Sequence, residues 1–93
     1  MDNRAVMRRT PNRLAPGRQT RVEWREERPV LVLPDGTVQL NESAASILEL
    51  CDGTRSLEDV VSEFLAQPGR QDLAEDVRDF IEAALERGWI VQT

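Results

Sequence analysis

The sequence predicts an α+β domain with a winged-helix-like arrangement, in which three short N-terminal strands precede three α-helices. Two patterns predict this class. Between residues 21 and 40, short segments either alternate polar and apolar residues or are apolar throughout. From residue 44 onward, apolar residues instead recur at helical spacing, in stretches separated by glycine or proline. Strands followed by helices in this order are typical of α+β domains.

The three predicted strands are Arg21–Arg25, Val30–Leu33 and Thr37–Leu40. The first and third alternate polar and apolar residues, whereas the second, VLVL, is a continuous apolar run. Pro34–Gly36 lies between the second and third, and its proline, aspartate and glycine are residues that tight turns prefer. We therefore expect the second and third strands to form a hairpin.

The segment Leu40–Ser56, LNESAASILELCDGTRS, contains the end of a strand, a complete short helix and the start of a second helix. Asn41 or Ser43 can cap the first helix, whose apolar residues at i, i+3, i+4 and i+7 share one face. Gly53 is suited to the left-handed conformation that follows a helix. Ser56, with Asp59 three residues later, predicts a capping box for the second helix.

The third predicted helix spans Asp72–Arg87, with Asp72 and Glu75 as its capping pair and Gly88 after its end. Its apolar residues recur at helical spacing and are expected to face the core. The segment Trp89–Val91 is too apolar to be solvated, so we expect it to pack back as a short strand or as a cover over the core.

Charge divides the chain into two predicted regions. Residues 1–28 contain eight arginines and four acidic residues, a net charge of +4, whereas residues 29–93 carry a net charge of −9. Residues 1–20 include two prolines and few aliphatic side chains, so we expect a flexible basic segment there. Residues 21–93 are expected to form the folded domain.

Composition argues against an enzyme. The chain has no histidine, which removes the commonest general base and metal ligand, and its lone Cys51 is expected to be a buried core thiol. No serine has a histidine or lysine to activate it. We therefore expect no catalytic residue, no metal site and no cofactor. The sequence contains neither a secretory signal nor an apolar run of membrane-spanning length, so a cytoplasmic protein without membrane contact is expected.

A winged helix also suggests nucleic-acid binding, but the charge of the third helix argues against it. Residues 72–87 contain six acidic residues and two arginines. A helix that enters a groove of DNA needs cations to replace the phosphate counterions. We therefore expect no nucleic-acid partner, and a winged-helix nucleic-acid binder remains the alternative from a different class.

The chain resembles the pyrroloquinoline quinone biosynthesis protein D (PqqD) family, a family of peptide-recognition domains. The resemblance covers roughly residues 11–91. It rests on four segments and one glycine, which are the lead-in Pro11–Arg21, Leu33–Gly36, Leu40–Ser56, Asp76–Phe80 and Gly88. It implies a non-enzymatic peptide chaperone. Such proteins bind the ribosomally made precursor peptide PqqA and present it to the radical S-adenosylmethionine enzyme PqqE, which joins a glutamate to a tyrosine of the peptide.

The resemblance also implies where the peptide binds: as an added strand against the third strand, in the cleft between that strand and the third helix. In this sequence the strand comprises Thr37, Val38, Gln39, Leu40 and Asn41. An edge strand offers unpaired backbone amides and carbonyls. A peptide can form hydrogen bonds with them largely independently of its own side chains.

Specificity is then expected from one border of the apolar stripe of the third helix. One border carries Ala74, Arg78, Ile81 and Leu85, and the other carries Asp76, Ala83 and Arg87. Either would offer a small pocket and one guanidinium for a peptide carboxylate, and we prefer the first border. For Ile81 and Leu85, plain core packing is the competing interpretation. A recognition domain for another modified peptide is the alternative within binding proteins, and both a monomer and a homodimer remain open.

Overall fold

The chain folds as a mixed α/β protein, and a computed structural model describes residues 12–93 of it. Strands lie mostly in the N-terminal half and helices follow, so the predicted α+β class is confirmed. The elements are β1 (Arg13–Pro16), β2 (Arg21–Arg25), β3 (Arg28–Leu33), β4 (Gly36–Gln39), α1 (Glu42–Leu50), β5 (Arg55–Ser56), α2 (Leu57–Leu65), α3 (Ala74–Glu86) and β6 (Ile90–Gln92). In residues 12–93, no helix is long and apolar enough to cross a membrane.

Three consecutive strands form the first antiparallel sheet, in the order β2-β3-β4. The predicted hairpin is present, with Leu33 opposite Gly36 across a two-residue turn. Strands β2 and β3 form a second hairpin, in which Arg25 is opposite Arg28. Its two turn residues, Glu26 and Glu27, have φ values of 54° and 67°. Positive φ at both central positions is the signature of a type I′ turn, which prefers Asn-Gly.

Replacing Glu26 and Glu27 with Asn and Gly is expected to raise the free energy of unfolding by about 1 kcal/mol, because glutamate is strained in this conformation. Thermal unfolding followed by circular dichroism would show a melting temperature about 4–8 °C higher. The same pair placed at Pro34 and Asp35, which do not have positive φ, is the control and is expected to give no gain. An equal gain at both turns would contradict the explanation.

A second sheet joins segments from both ends of the described chain, in the order β5-β1-β6. Leu14 of β1 is opposite Arg55 on one side and Gln92 on the other, and its side chain is fully buried. The predicted flexible segment, residues 1–20, therefore needs correction over residues 12–20, which belong to the folded body. Residues 1–11 of that segment lie outside the described residues. The short strand expected near Trp89–Val91 is present as β6.

The helix boundaries follow mostly local signals. The Asn41 side chain accepts a hydrogen bond from the Ala44 N–H at 2.7 Å, and Ser56 and Asp59 form the predicted capping box. Gly53 has the expected positive φ, 94°. The prediction for the third helix was wrong at its start: α3 begins at Ala74 rather than Asp72, and no side chain caps it.

The three helices pack together, and α1 also contacts β2 and β3, which gives the winged-helix-like arrangement. The core draws on both sheets and all three helices. Its largest fully buried side chains include Leu14, Leu31, Phe64, Ile81 and Ile90. Helices α1 and α3 begin close together beside Phe64 of α2, and the space between these two starts forms the cavity described next.

Candidate functional site

Strand β4 is an edge of its sheet, because it pairs with β3 alone. The register places Val32 opposite Thr37 and Val30 opposite Gln39. The Leu40 N–H donates to the Pro29 carbonyl oxygen at 3.1 Å. Since backbone groups alternate in direction along a strand, the N–H and C=O groups of Thr37 and Gln39 point away from β3. Thr37 and Gln39 thus present two backbone hydrogen-bond donors and two acceptors that do not pair within the sheet.

The side chains of β4 lie on two faces. Val38 is half-buried and packs against the core, whereas Thr37 and Gln39 are exposed. Leu40 is also half-buried against the core. Asn41 caps α1 through its side chain, so its amide oxygen already has a donor. All five predicted strand residues therefore lie along the open edge of the sheet. The groups available for hydrogen bonds to a peptide are mainly the outward backbone N–H and C=O groups of Thr37 and Gln39.

A cavity of about 320 Å³ lies where this edge meets the helices. It is bounded by the start of α1 and the first two turns of α3, and it is mostly apolar. Its lining residues are Asn41, Ser43, Ala44, Ile47, Phe64, Leu73, Asp76, Val77 and Phe80. Asn41, which follows the end of β4 by two residues, lines this cavity, so the cavity lies close to the open strand edge.

The structure does not place the preferred border of α3 at this cavity. Arg78 instead forms a two-point ion pair with Glu58 at the start of α2, with distances of 2.8 and 3.0 Å. This pairing lowers the pKa of Glu58. Ile81 is fully buried, Ala74 and Leu85 are half-buried, and none of these four residues lines the cavity.

The opposite border reaches the cavity through Asp76. Its predicted arginine, Arg87, lies at the other end of α3 with its guanidinium 5.4 Å from the centre of the Trp89 ring. The second border therefore lies at the cavity, where it contributes a carboxylate and not the expected guanidinium, and the border that contacts a peptide stays a prediction. The buried residues of α3, Val77, Ile81 and Ala84, fix its orientation in the core, and in this orientation Arg78 pairs with Glu58 of α2.

Sequence reasoning missed the cavity itself, because it assigned Ile47, Phe64 and Phe80 to the core. Phe80 is only partly buried and contacts Trp89, with ring centroids 6.4 Å apart. The available signal was the recurrence of Leu73, Asp76 and Phe80 along one side of the helix. These three positions combine two partly buried apolar residues, Leu73 and Phe80, with the exposed Asp76. Such a combination is expected at the rim of a groove.

The described chain offers little chemistry beyond binding. Cys51 is fully buried, as predicted, and its Sγ donates to the Ile47 carbonyl oxygen at 3.3 Å. Burial and the charge of Asp52 raise the pKa of this thiol to about 12, so it stays protonated at neutral pH. Within residues 12–93, no group of three or more histidine, cysteine or acidic side chains is arranged to hold a metal ion.

An open strand edge beside an apolar cavity is the arrangement of small domains that bind extended peptides. The chain belongs to the coenzyme PQQ synthesis protein D (PqqD) family, whose sequence model matches residues 29–90. Relatives in the family are named PqqA binding protein. The Methylococcus capsulatus relative is 42% identical over 72 residues, which cover 75% of this chain and 77% of the relative.

Two further relatives bear the same name. The Pseudomonas fluorescens Pf-5 relative is 40% identical over 83 residues, 88% of this chain and 90% of the relative. The Azotobacter vinelandii relative is 45% identical over 62 residues, 66% of this chain and 67% of the relative. No solved structure matches the chain.

Proposed function

We propose that this protein is a peptide chaperone of pyrroloquinoline quinone biosynthesis, which binds the precursor peptide PqqA and presents it to the radical S-adenosylmethionine enzyme PqqE. Membership of the PqqD family, with relatives named PqqA binding protein, supports the peptide partner. The open edge of β4 beside the α1–α3 cavity carries the proposal for the binding mode. The protein acts in the cytoplasm, on a newly made peptide, and performs no chemistry itself.

In this mechanism the peptide adds a strand to β4 and inserts an apolar side chain into the cavity. Hydrogen bonds to Thr37 and Gln39 contribute about 0.5–1.5 kcal/mol each, so four contribute about 2–6 kcal/mol. Burial of one large apolar side chain contributes about 1.5–3 kcal/mol. Association costs about 4–15 kcal/mol in lost freedom of motion. The apolar contribution alone lies below this range and the hydrogen bonds reach only its lower end, so we expect binding to use both the strand edge and the cavity.

Titration of isotopically labelled protein with synthetic PqqA tests the proposal. Saturable amide shifts are expected at Thr37 and Gln39 and at residues that line the cavity. A second measurement compares turnover of PqqA by PqqE with and without the protein, and a rise is expected. An absence of saturable binding would overturn the peptide partner, and unchanged turnover would overturn presentation to PqqE.

Replacing Phe80 with alanine is expected to weaken PqqA binding about tenfold, because the change removes a wall of the cavity that holds the apolar anchor. Leu85→Ala is the matched control, since Leu85 is also partly buried on α3 but lies on the other border. Isothermal titration calorimetry measures the affinities of both variants for PqqA. Thermal unfolding shows whether either variant has lost stability. Weaker binding by the Leu85 variant alone would move the site to the border that contacts α2.

A further inference from the structure

Among residues 12–93, Asp76 is the one ionisable side chain that lines the cavity between α1 and α3. It lies in the first turn of α3 and is exposed, with its neighbours Glu75 and Asp79 also exposed. Within residues 12–93, none of the ion pairs involves its carboxylate. The mouth of an otherwise apolar cavity therefore carries a negative charge that no neighbouring arginine of the described chain neutralises.

The arginines of α3 and its C-terminal end are engaged elsewhere. Arg78 pairs with Glu58, and Arg87 lies over the Trp89 ring. The opposite wall supplies no compensating cation. The start of α1, the positive end of a helix dipole, is capped by the Asn41 side chain and has Glu42 in its first turn. Each helix start therefore carries at least one full negative charge, Glu42 on α1 and Asp76 on α3, which outweighs the positive charge of about one half at the end of a helix dipole and favours a cationic ligand group.

We infer that the cleft selects a peptide segment in which a lysine or arginine lies within two residues of the apolar anchor, and that Asp76 sets this charge preference. The inference rests on the proposed function. In an extended peptide, residues two apart share one face and are about 7 Å apart, a span that a long basic side chain covers. This reverses the sign expected from the sequence, where an arginine of α3 was to bind a peptide carboxylate.

The experiment measures affinities of synthetic PqqA peptides in which each lysine or arginine is replaced, one at a time, by glutamine. Wild-type protein is expected to lose about two- to fivefold in affinity for one such peptide, in the range of exposed charge pairs. For Asp76→Asn, the same replacement is expected to change nothing. Asp79→Asn, on the same helix but outside the cavity lining, is the matched control and is expected to behave as wild type.

A charge exchange makes the test independent of stability. Asp76→Arg is expected to bind poorly to unmodified PqqA and to recover affinity for the peptide in which the identified basic residue is glutamate. Higher salt should reduce the wild-type preference, because a partly exposed pair is screened. If the wild type tolerates every replacement, or if Asp76→Asn keeps the preference, the inference fails while the proposed function stands. Failure of all proteins to bind any PqqA peptide overturns both.

Discussion

Gln39→Pro is expected to reduce affinity for PqqA by about 100-fold or more while leaving the free energy of unfolding nearly unchanged. The outward N–H of Gln39 has no partner in the sheet, so the fold loses no hydrogen bond, and proline is tolerated at such edge positions. The peptide, in contrast, loses one backbone acceptor contact. It also meets the proline ring where its own backbone must lie, and this steric block accounts for most of the expected effect.

Two matched variants make this result specific. Gln39→Ala keeps the backbone N–H and removes only an exposed side chain, so its affinity is expected to stay within about twofold of wild type. Val38→Pro removes an N–H that points towards β3 and is expected to destabilise the protein. Fluorescence anisotropy of labelled PqqA measures binding, and circular dichroism measures stability. Wild-type affinity in Gln39→Pro would show that the peptide does not add to β4.

Gly17→Ala is expected to lower the free energy of unfolding by about 3 kcal/mol. Gly17 lies in the turn after β1, and its N–H donates to the Trp89 carbonyl oxygen at 2.9 Å. A Cβ at this position would overlap the Gly88 carbonyl oxygen and lie 3.1 Å from the Trp89 carbonyl oxygen. The obstructing atoms are backbone, so relief requires the α3–β6 connection to move away from β1.

Thermal and chemical unfolding measure this effect. A loss of 3 kcal/mol corresponds to a fall in melting temperature of roughly 12 °C or more for a domain of this size. Gly36→Ala is the control, because a Cβ at Gly36 meets no atom within 4 Å and its φ is not positive. It is expected to leave the melting temperature within a few degrees of wild type. Equal stabilities for the two variants would show that β1 and the α3–β6 connection are not tightly packed.

Features that depend on neighbours in sequence were predicted well. The hairpin between β3 and β4 follows from the turn residues Pro34 to Gly36, and the starts of α1 and α2 follow from Asn41 and Ser56. In each case the deciding hydrogen bonds join residues three or fewer apart. Hydrogen bonds between such close neighbours in sequence form largely independently of the rest of the fold.

Strand β1 shows the opposite case. Its four residues, RLAP, carry no strong strand signal, and the sequence suggested a flexible segment there. The strand exists because its partners, Arg55–Ser56 and Ile90–Gln92, lie about 40 and 75 residues further along the chain. Burial of Leu14 stabilises the strand, and this burial cannot be predicted from the residues that neighbour Leu14 in sequence.

The sequence by itself determined the α+β class, the strands β2, β3 and β4, the helices α1 and α2, and the scarcity of catalytic groups. Helical spacing also reduced the proposed recognition surface of α3 to two borders. Only the tertiary structure showed which border lies at the cavity, because the orientation of α3 depends on the packing of its buried residues Val77, Ile81 and Ala84 against distant parts of the chain. This orientation of α3 places Asp76 in the lining of the cavity, and the cavity therefore carries a negative charge.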